Sequence, residues 1–345
     1  MATKRIDSLD GWRTISVCAV ILSHVVNESA LHIDGWLAEV IASYGTLGVK
    51  IFFVISGFVI CRGMLAEHVR SDRVSIIGFY IRRFFRIIPP LALYLAVVCV
   101  LTAAHAVNPD AYRALLGLTF VCNLISNCGG YLGAHQWSLS TEEQFYLVVP
   151  VLFVLAGSCR VSIFTVLAFG LPLFSLFAAV LKWVDVASFS STFICISVGV
   201  AASFHEERIR QACRSVPPST LYVMIAVILL IAPQPPSRTT SLLTAFILPM
   251  CIAASLFMTM VTPSSFAQLL RYPAIVMIGR ASYSIYLWQQ LATYRFSWSS
   301  PSLRVALVCV SVAFCLVSFR FFERPLIARG ARISEAVANT QSQRN

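Results

Sequence analysis

The sequence predicts an all-α, polytopic transmembrane bundle of about ten spanning helices with its N- and C-termini in the cytoplasm, and three observations lead there. The first is composition: 58% of the 345 residues are hydrophobic and 12% are charged, with a mean hydropathy of +0.80. Soluble domains carry about 45–50% apolar and about 25% charged residues, so most of this surface faces a solvent other than water. A disordered chain, a coiled coil and a secreted disulfide scaffold are excluded with the soluble class. The second is the presence of ten apolar runs, at 14–26, 47–61, 87–106, 145–156, 161–181, 189–204, 220–232, 242–261, 274–291 and 303–322. A spanning helix needs about 20 residues, which leaves room for about ten with short connections. The third is charge: 26 basic against 15 acidic residues give +11, and 23 of the 26 are arginine. In a membrane chain that excess is explained first by the positive-inside rule, so no nucleic-acid partner is expected.

An eleventh run, 114–125, is short and carries Gly117 and Asn123, and charge parity decides its fate. If it does not cross and the N-terminus is cytoplasmic, 20 basic residues fall inside and 6 outside; if it crosses, the split is 13 to 13. The asymmetric answer is preferred. It makes 107–144 one long outer loop holding a re-entrant or interfacial helix, and a membrane domain of 1–327 is followed by a polar cytoplasmic tail, 328–345.

The first run follows Lys4 and Arg5, as in a signal peptide, but no small-x-small cleavage site follows Val26, so it is read as a retained span. It contains His24, eleven residues after Arg13. Eleven steps of about 100° return to within about 20° of the same helix face, roughly 16 Å along the axis. A guanidinium at the cytoplasmic mouth suits phosphate or carboxylate, and an imidazole within the span suits general-base work. Glu28, one turn further, is placed to orient the imidazole. Snorkelling by Arg13 and a plain interhelical bond from His24 are the structural alternatives.

The second run carries Gly48, Ser56 and Gly57, small residues that let helices approach closely. Arg82, Arg83 and Arg86 come before the third, with Pro89 and Pro90 behind them. Arg83 and Arg86 share a helix face and are suited to grip a polyanion, or to meet anionic lipid headgroups. In the outer loop, Cys122 and Cys128 are either free thiols or a bridge in an oxidising compartment. Most of the eleven cysteines lie in apolar runs, and no Cys or His spacing suggests a metal site. The fourth run opens with Trp137-Ser138-Leu139-Ser140-Thr141-Glu142-Glu143-Gln144. Ser140 or Thr141 is placed to cap a helix there, and a carboxylate is placed to meet an imidazole or a sugar hydroxyl.

Taken together, these segments resemble the acyltransferase-3 family of bacterial integral-membrane O-acyltransferases. The similarity is carried by Leu9-Asp10-Gly11-Trp12-Arg13 with His24, by 48–58, by Phe79-Tyr80-Ile81-Arg82-Arg83-Phe84-Phe85-Arg86, by 137–146 with Glu142 at the characteristic carboxylate, and by 279–288 followed by Glu323-Arg324-Pro325. Lys50 stands where an acidic or small residue is common, and Gln289 replaces a common His, so no role for that His carries over.

The resemblance implies transfer of an acyl group, acetyl as the expected one, from acyl-CoA on the cytoplasmic side to a hydroxyl of a cell-surface or secreted glycan or glycolipid, in the bacterial inner (plasma) membrane. Acetyl-CoA is then a substrate rather than a bound cofactor. His24 and Glu142 are the expected catalytic pair; Arg13, Arg83 and Arg86 are the expected donor-binding residues. His24 either takes the acceptor proton or carries the acyl group transiently. A lipochitooligosaccharide or macrolide-type acceptor is the alternative within the class. Outside it stands a transporter or flippase for a polar or lipid-linked solute, which the lack of an internal repeat disfavours.

Overall fold

The computed structural model describes residues 5–27, 35–125, 128–168, 170, 184–233, 246–294, 296 and 301–343. It is 86% helix, with no strand among the described residues. In chain order the helices are α1 Asp7–Asn27, α2 Trp36–Ser71, α3 Ile76–Ala103, the short α4 Gly130–Gly133, α5 Gln136–Leu155, α6 Gly157–Ala168, α7 Val184–Phe204 and α8 Glu206–Arg214. There follow α9 Ser219–Ile231, α10 Leu248–Val261, α11 Ser265–Leu270, α12 Pro273–Arg280, α13 Ser282–Ala292, α14 Pro301–Ser318 and α15 Arg324–Gln343. Among the described residues, five helical stretches are long and apolar enough to cross a membrane: α1, α2, α3, Gly130–Leu155 and Ser302–Thr340. A sixth is added if α8 and α9, bent by 112° at Pro217 and Pro218, count as one.

The ten apolar runs map onto the described helices unevenly. The run 274–291 is interrupted at Ala281, between α12 and α13. The run 189–204 lies within α7, and the runs 161–181 and 242–261 extend beyond the described residues. The short run 114–125 forms no regular spanning helix: Pro109–Thr119 is a 3-10 helix, whose poorer hydrogen bonding seldom sustains long segments. Asn108 caps it, accepting from the Asp110 N–H at 2.9 Å.

Two compact units share the chain. One comprises 1–27, 32–70 and 156–280; the other comprises 28–31, 71–155 and 281–345. In the first, close approach of backbones does the packing, as the small residues of α2 suggest. A Cβ at Gly48 would press on the Ser16 carbonyl, one at Gly57 would overlap the Ile196 carbonyl of α7, and one at Gly199 would overlap the Val54 carbonyl of α2. Lipid offers no hydrophobic drive to bring helices together, so this interlocking contributes directly. Gly57→Ala and Gly199→Ala are each expected to cost about 1–3 kcal/mol by overpacking, read as a lower thermal midpoint in detergent. Gly63, with open space around its Cβ position, is the neutral control.

In the second unit α15 lies along α3. Gly330 admits Phe85, and Arg82 Nη1 donates to Ser334 Oγ at 2.5 Å. The segment assigned to a polar tail is thus largely a helix packed on α3. Ser75 Oγ accepts from the Gly78 N–H at 3.1 Å and starts α3, which continues through Pro89 and Pro90; beside that step Tyr283 Oη donates to the Ile87 carbonyl at 3.0 Å. The loop before α5 is tied down by buried Gln136, whose Nε2 donates to the Ala114 carbonyl at 2.9 Å, and by Gln144, whose Nε2 donates to the Phe120 carbonyl at 2.8 Å. Cys122 and Cys128 are disulfide-bonded within it.

Candidate active site

In the first unit the chemistry-bearing residues lie along α1. Asp10 is 1% exposed and receives guanidinium donors from three sides: Arg5 Nε at 2.6 Å and Nη2 at 3.0 Å, Arg13 Nη1 at 3.1 Å, and Arg280 Nε at 3.4 Å. Arg280 also donates to Asp7 at 3.2 Å, which leaves three guanidiniums against two carboxylates. The cluster is held by packing: Gly279 brings α12 onto the Asp10 carbonyl, Thr14 Oγ1 donates to the Ile275 carbonyl at 2.6 Å, and Trp12 Nε1 donates to Thr259 Oγ1 at 3.0 Å. His24, three turns along the same helix, is half-buried and forms no hydrogen bond to a described residue. Glu28, placed by the spacing to orient it, lies outside the described residues.

Arg83, Arg86 and Glu142 belong to the second unit. Arg83 turns its Cζ over two rings, 4.7 Å from the Tyr146 centroid and 5.5 Å from that of Phe79. Tyr146 Oη donates to Glu142 Oε1, an i,i+4 pair within α5. The neighbouring Glu143 has an oxygen, Oε1, that is buried and lacks a hydrogen-bond partner among the described residues, and the charges of Arg83 and Glu142 act on it. Arg86 acts on Glu323, which is buried and accepts from Ser284 Oγ. Arg83 and Arg86 therefore each have partners within the protein, a feature that helix-face spacing alone does not show.

At the start of α5, Ser138 Oγ meets Tyr286 Oη at 2.6 Å, and just before the helix the His135 ring stands edge-on to Tyr94 and Tyr286, 5.6 Å from each. Gln289 is 2% exposed; its Nε2 donates to Gln290 Oε1 at 3.0 Å, while its own Oε1 finds no partner among the described residues. Ser140 and Thr141 do not cap α5, which begins at Gln136. Their hydroxyls instead bond the Gln136 and Trp137 carbonyls, one turn back, at 2.8 and 3.0 Å.

Sequence reasoning missed Asp10, Arg280, Glu143, Tyr146 and Tyr286. The i,i+4 spacing of Glu142 and Tyr146 is a usable signal, as is the closeness in sequence of Arg5 and Arg13 to Asp10; the approach of Arg280 to Asp10 is tertiary and has none.

A family model described as an acyltransferase domain matches residues 6–320. The chain belongs to the acyltransferase-3 family. The O-acetyltransferase OatA of Staphylococcus aureus (strain NCTC 8325 / PS 47) is 32% identical over 157 residues, which is 41% of this chain and 24% of that protein. The peptidoglycan O-acetyltransferase OatA of Listeria monocytogenes (strain EGD-e) is 33% identical over 162 residues, again 24% of its length and 43% of this chain. A further Staphylococcus aureus protein, SACOL0978 of strain COL, is 26% identical across 95% of this chain and 58% of its own length. The chain thus matches about a quarter of each OatA relative. No solved structure matches it. The acyltransferase-3 match takes in α1 with Arg13 and His24, the arginines of α3, and Glu142.

Proposed function

We propose that the protein is a membrane-embedded O-acyltransferase that moves an acetyl group from acetyl-CoA to a hydroxyl of a cell-surface or secreted glycan. The family match over 6–320 carries this reading, and the relatives' names supply the group and the acceptor class. His24 accepts the proton of the acceptor hydroxyl. The freed oxygen attacks the thioester carbonyl, an O–C bond forms, the C–S bond breaks, and the proton passes from His24 to the departing CoA thiolate. Arg13, Arg83 and Arg86 offer cationic groups to the phosphates of the donor, and Glu142 accepts a hydrogen bond from the sugar. The arginine-rich side is cytoplasmic in this proposal. The Cys122–Cys128 bridge supports an outer, oxidising location for the loop.

The test is transfer of label. Membranes holding the protein are expected to move radiolabelled acetyl from acetyl-CoA onto glycan covalently; label that only crosses or associates with the membrane overturns the proposal in favour of a transporter. Arg13→Lys and Arg86→Gln are expected to raise the KM for acetyl-CoA by about tenfold each, the loss of one charge-assisted contact. An unchanged donor KM would return these arginines to topology and packing.

A further inference from the structure

We infer that the cleft lined by Asn108, Asp110, Arg113, Tyr131 and Tyr294 is a subsite for one sugar ring of the acceptor glycan; this rests on the acyl-transfer reading above. The cleft lies within the second unit and encloses about 270 Å³. Pockets for drug-sized ligands run from about 300 to 1,000 Å³, so this one suits a single ring of a longer chain.

The lining has the chemistry of sugar recognition. Asp110 and Arg113 lie three residues apart on the 3-10 helix, where three residues complete a turn, so both project from one face. Both residues are exposed and line the cleft, where they present a bidentate acceptor and a multiple donor for vicinal hydroxyls. Their charges cancel. A polyanion such as a lipid phosphate would gain from Arg113 and lose to Asp110, whereas a neutral polyol gains from both.

The aromatic wall is Tyr131 and Tyr294, with centroids 5.7 Å apart and planes inclined by 59°, an apolar corner of the kind that packs on the C–H side of a pyranose. The corner is fixed before any ligand arrives. Tyr294 Oη accepts the Asn108 N–H at 3.0 Å, and Tyr131 Oη bonds Thr293 Oγ1 at 2.9 Å. Below, Tyr94 Oη donates to the Leu132 carbonyl at 2.7 Å. Gly130, at φ +56°, turns the chain where a side chain would be strained. Preorganisation of this kind lowers the ordering cost of binding.

Chitotetraose, titrated by calorimetry into the full-length protein in nanodiscs, tests the assignment. Wild type is expected to bind it, with Asp110→Asn and Arg113→Gln each weakening binding about tenfold. In transfer assays both variants should raise the acceptor KM while kcat and the KM for acetyl-CoA stay at wild-type values. Glycerol phosphate should not compete. Absence of chitotetraose binding by wild type, wild-type binding by both variants, or competition by glycerol phosphate would each overturn the subsite. If wild type binds and the variants do not, yet no label is ever transferred, the subsite stands and the acyl-transfer reading falls. If label is transferred equally by all three proteins, the reverse holds.

Discussion

His24→Ala is expected to reduce acetyl transfer by 10²–10⁴-fold, the range of a positioned general base, while leaving membrane insertion and thermal stability near wild type. Two features separate those outcomes. The ring forms no hydrogen bond to a described residue, so truncation strands no described donor or acceptor. It is also only half-buried, so little packing is lost with it. A purely structural histidine in a span would behave in the opposite way, because its loss would orphan an interhelical partner and lower stability without a specific effect on turnover. His24→Gln makes the discrimination sharper, since the amide keeps volume and hydrogen-bonding capacity but cannot take up a proton at neutral pH. The measurement is label transfer at saturating acetyl-CoA beside a melting curve on the same preparation. Retention of more than about a tenth of wild-type kcat by His24→Gln would end the general-base assignment.

What the sequence made legible follows from range. Helical class, the approach of α2 through Gly48 and Gly57, and the failure of 114–125 to form a spanning helix all depend on composition or on spacing within one segment. The placement of His24 and Arg13 along α1 is likewise local. The partners of the arginines are not. Arg83 looks like a free cation beside Arg86 in the sequence, but α3 turns it onto Tyr146, a residue sixty-three positions later whose hydroxyl is already given to Glu142. Glu142 was singled out by motif, while Glu143, with the buried unbonded oxygen, differs from it only by the rotation of α5. The break at Ala281 was also hidden, because the run 274–291 is apolar throughout apart from Arg280 and a few hydroxyl and amide residues. Apolarity reports what a segment is buried in and says little about whether its helix is continuous.

Asp10→Asn is expected to lower stability by about 3 kcal/mol, and the reason lies in how unevenly the Asp10 partners are exposed. Arg5 and Arg280 have side chains 47% and 41% exposed, so water and salt screen much of what they give Asp10. Arg13 is 14% exposed and Asp10 1%, so theirs is the pair that has been taken out of water. Removing one partner of such a pair costs about 3–5 kcal/mol, because the remaining charge has lost its compensation. The asparagine keeps the shape and one acceptor oxygen, so the loss reports charge rather than a cavity. Asp7→Asn provides the contrast: Asp7 is 53% exposed and meets only Arg280, at 3.2 Å, among the described residues, and its substitution is expected to change stability by less than about 0.5 kcal/mol. A thermal midpoint for Asp10→Asn within about 2 °C of wild type would show that the cluster is solvated and that Asp10 does not hold Arg13. If the midpoint falls, Arg13 is expected to lose its fixed position with it. The KM for acetyl-CoA should then rise in Asp10→Asn as it does in Arg13→Lys, and the double variant should be no worse than the poorer single one, because both changes act through the same guanidinium.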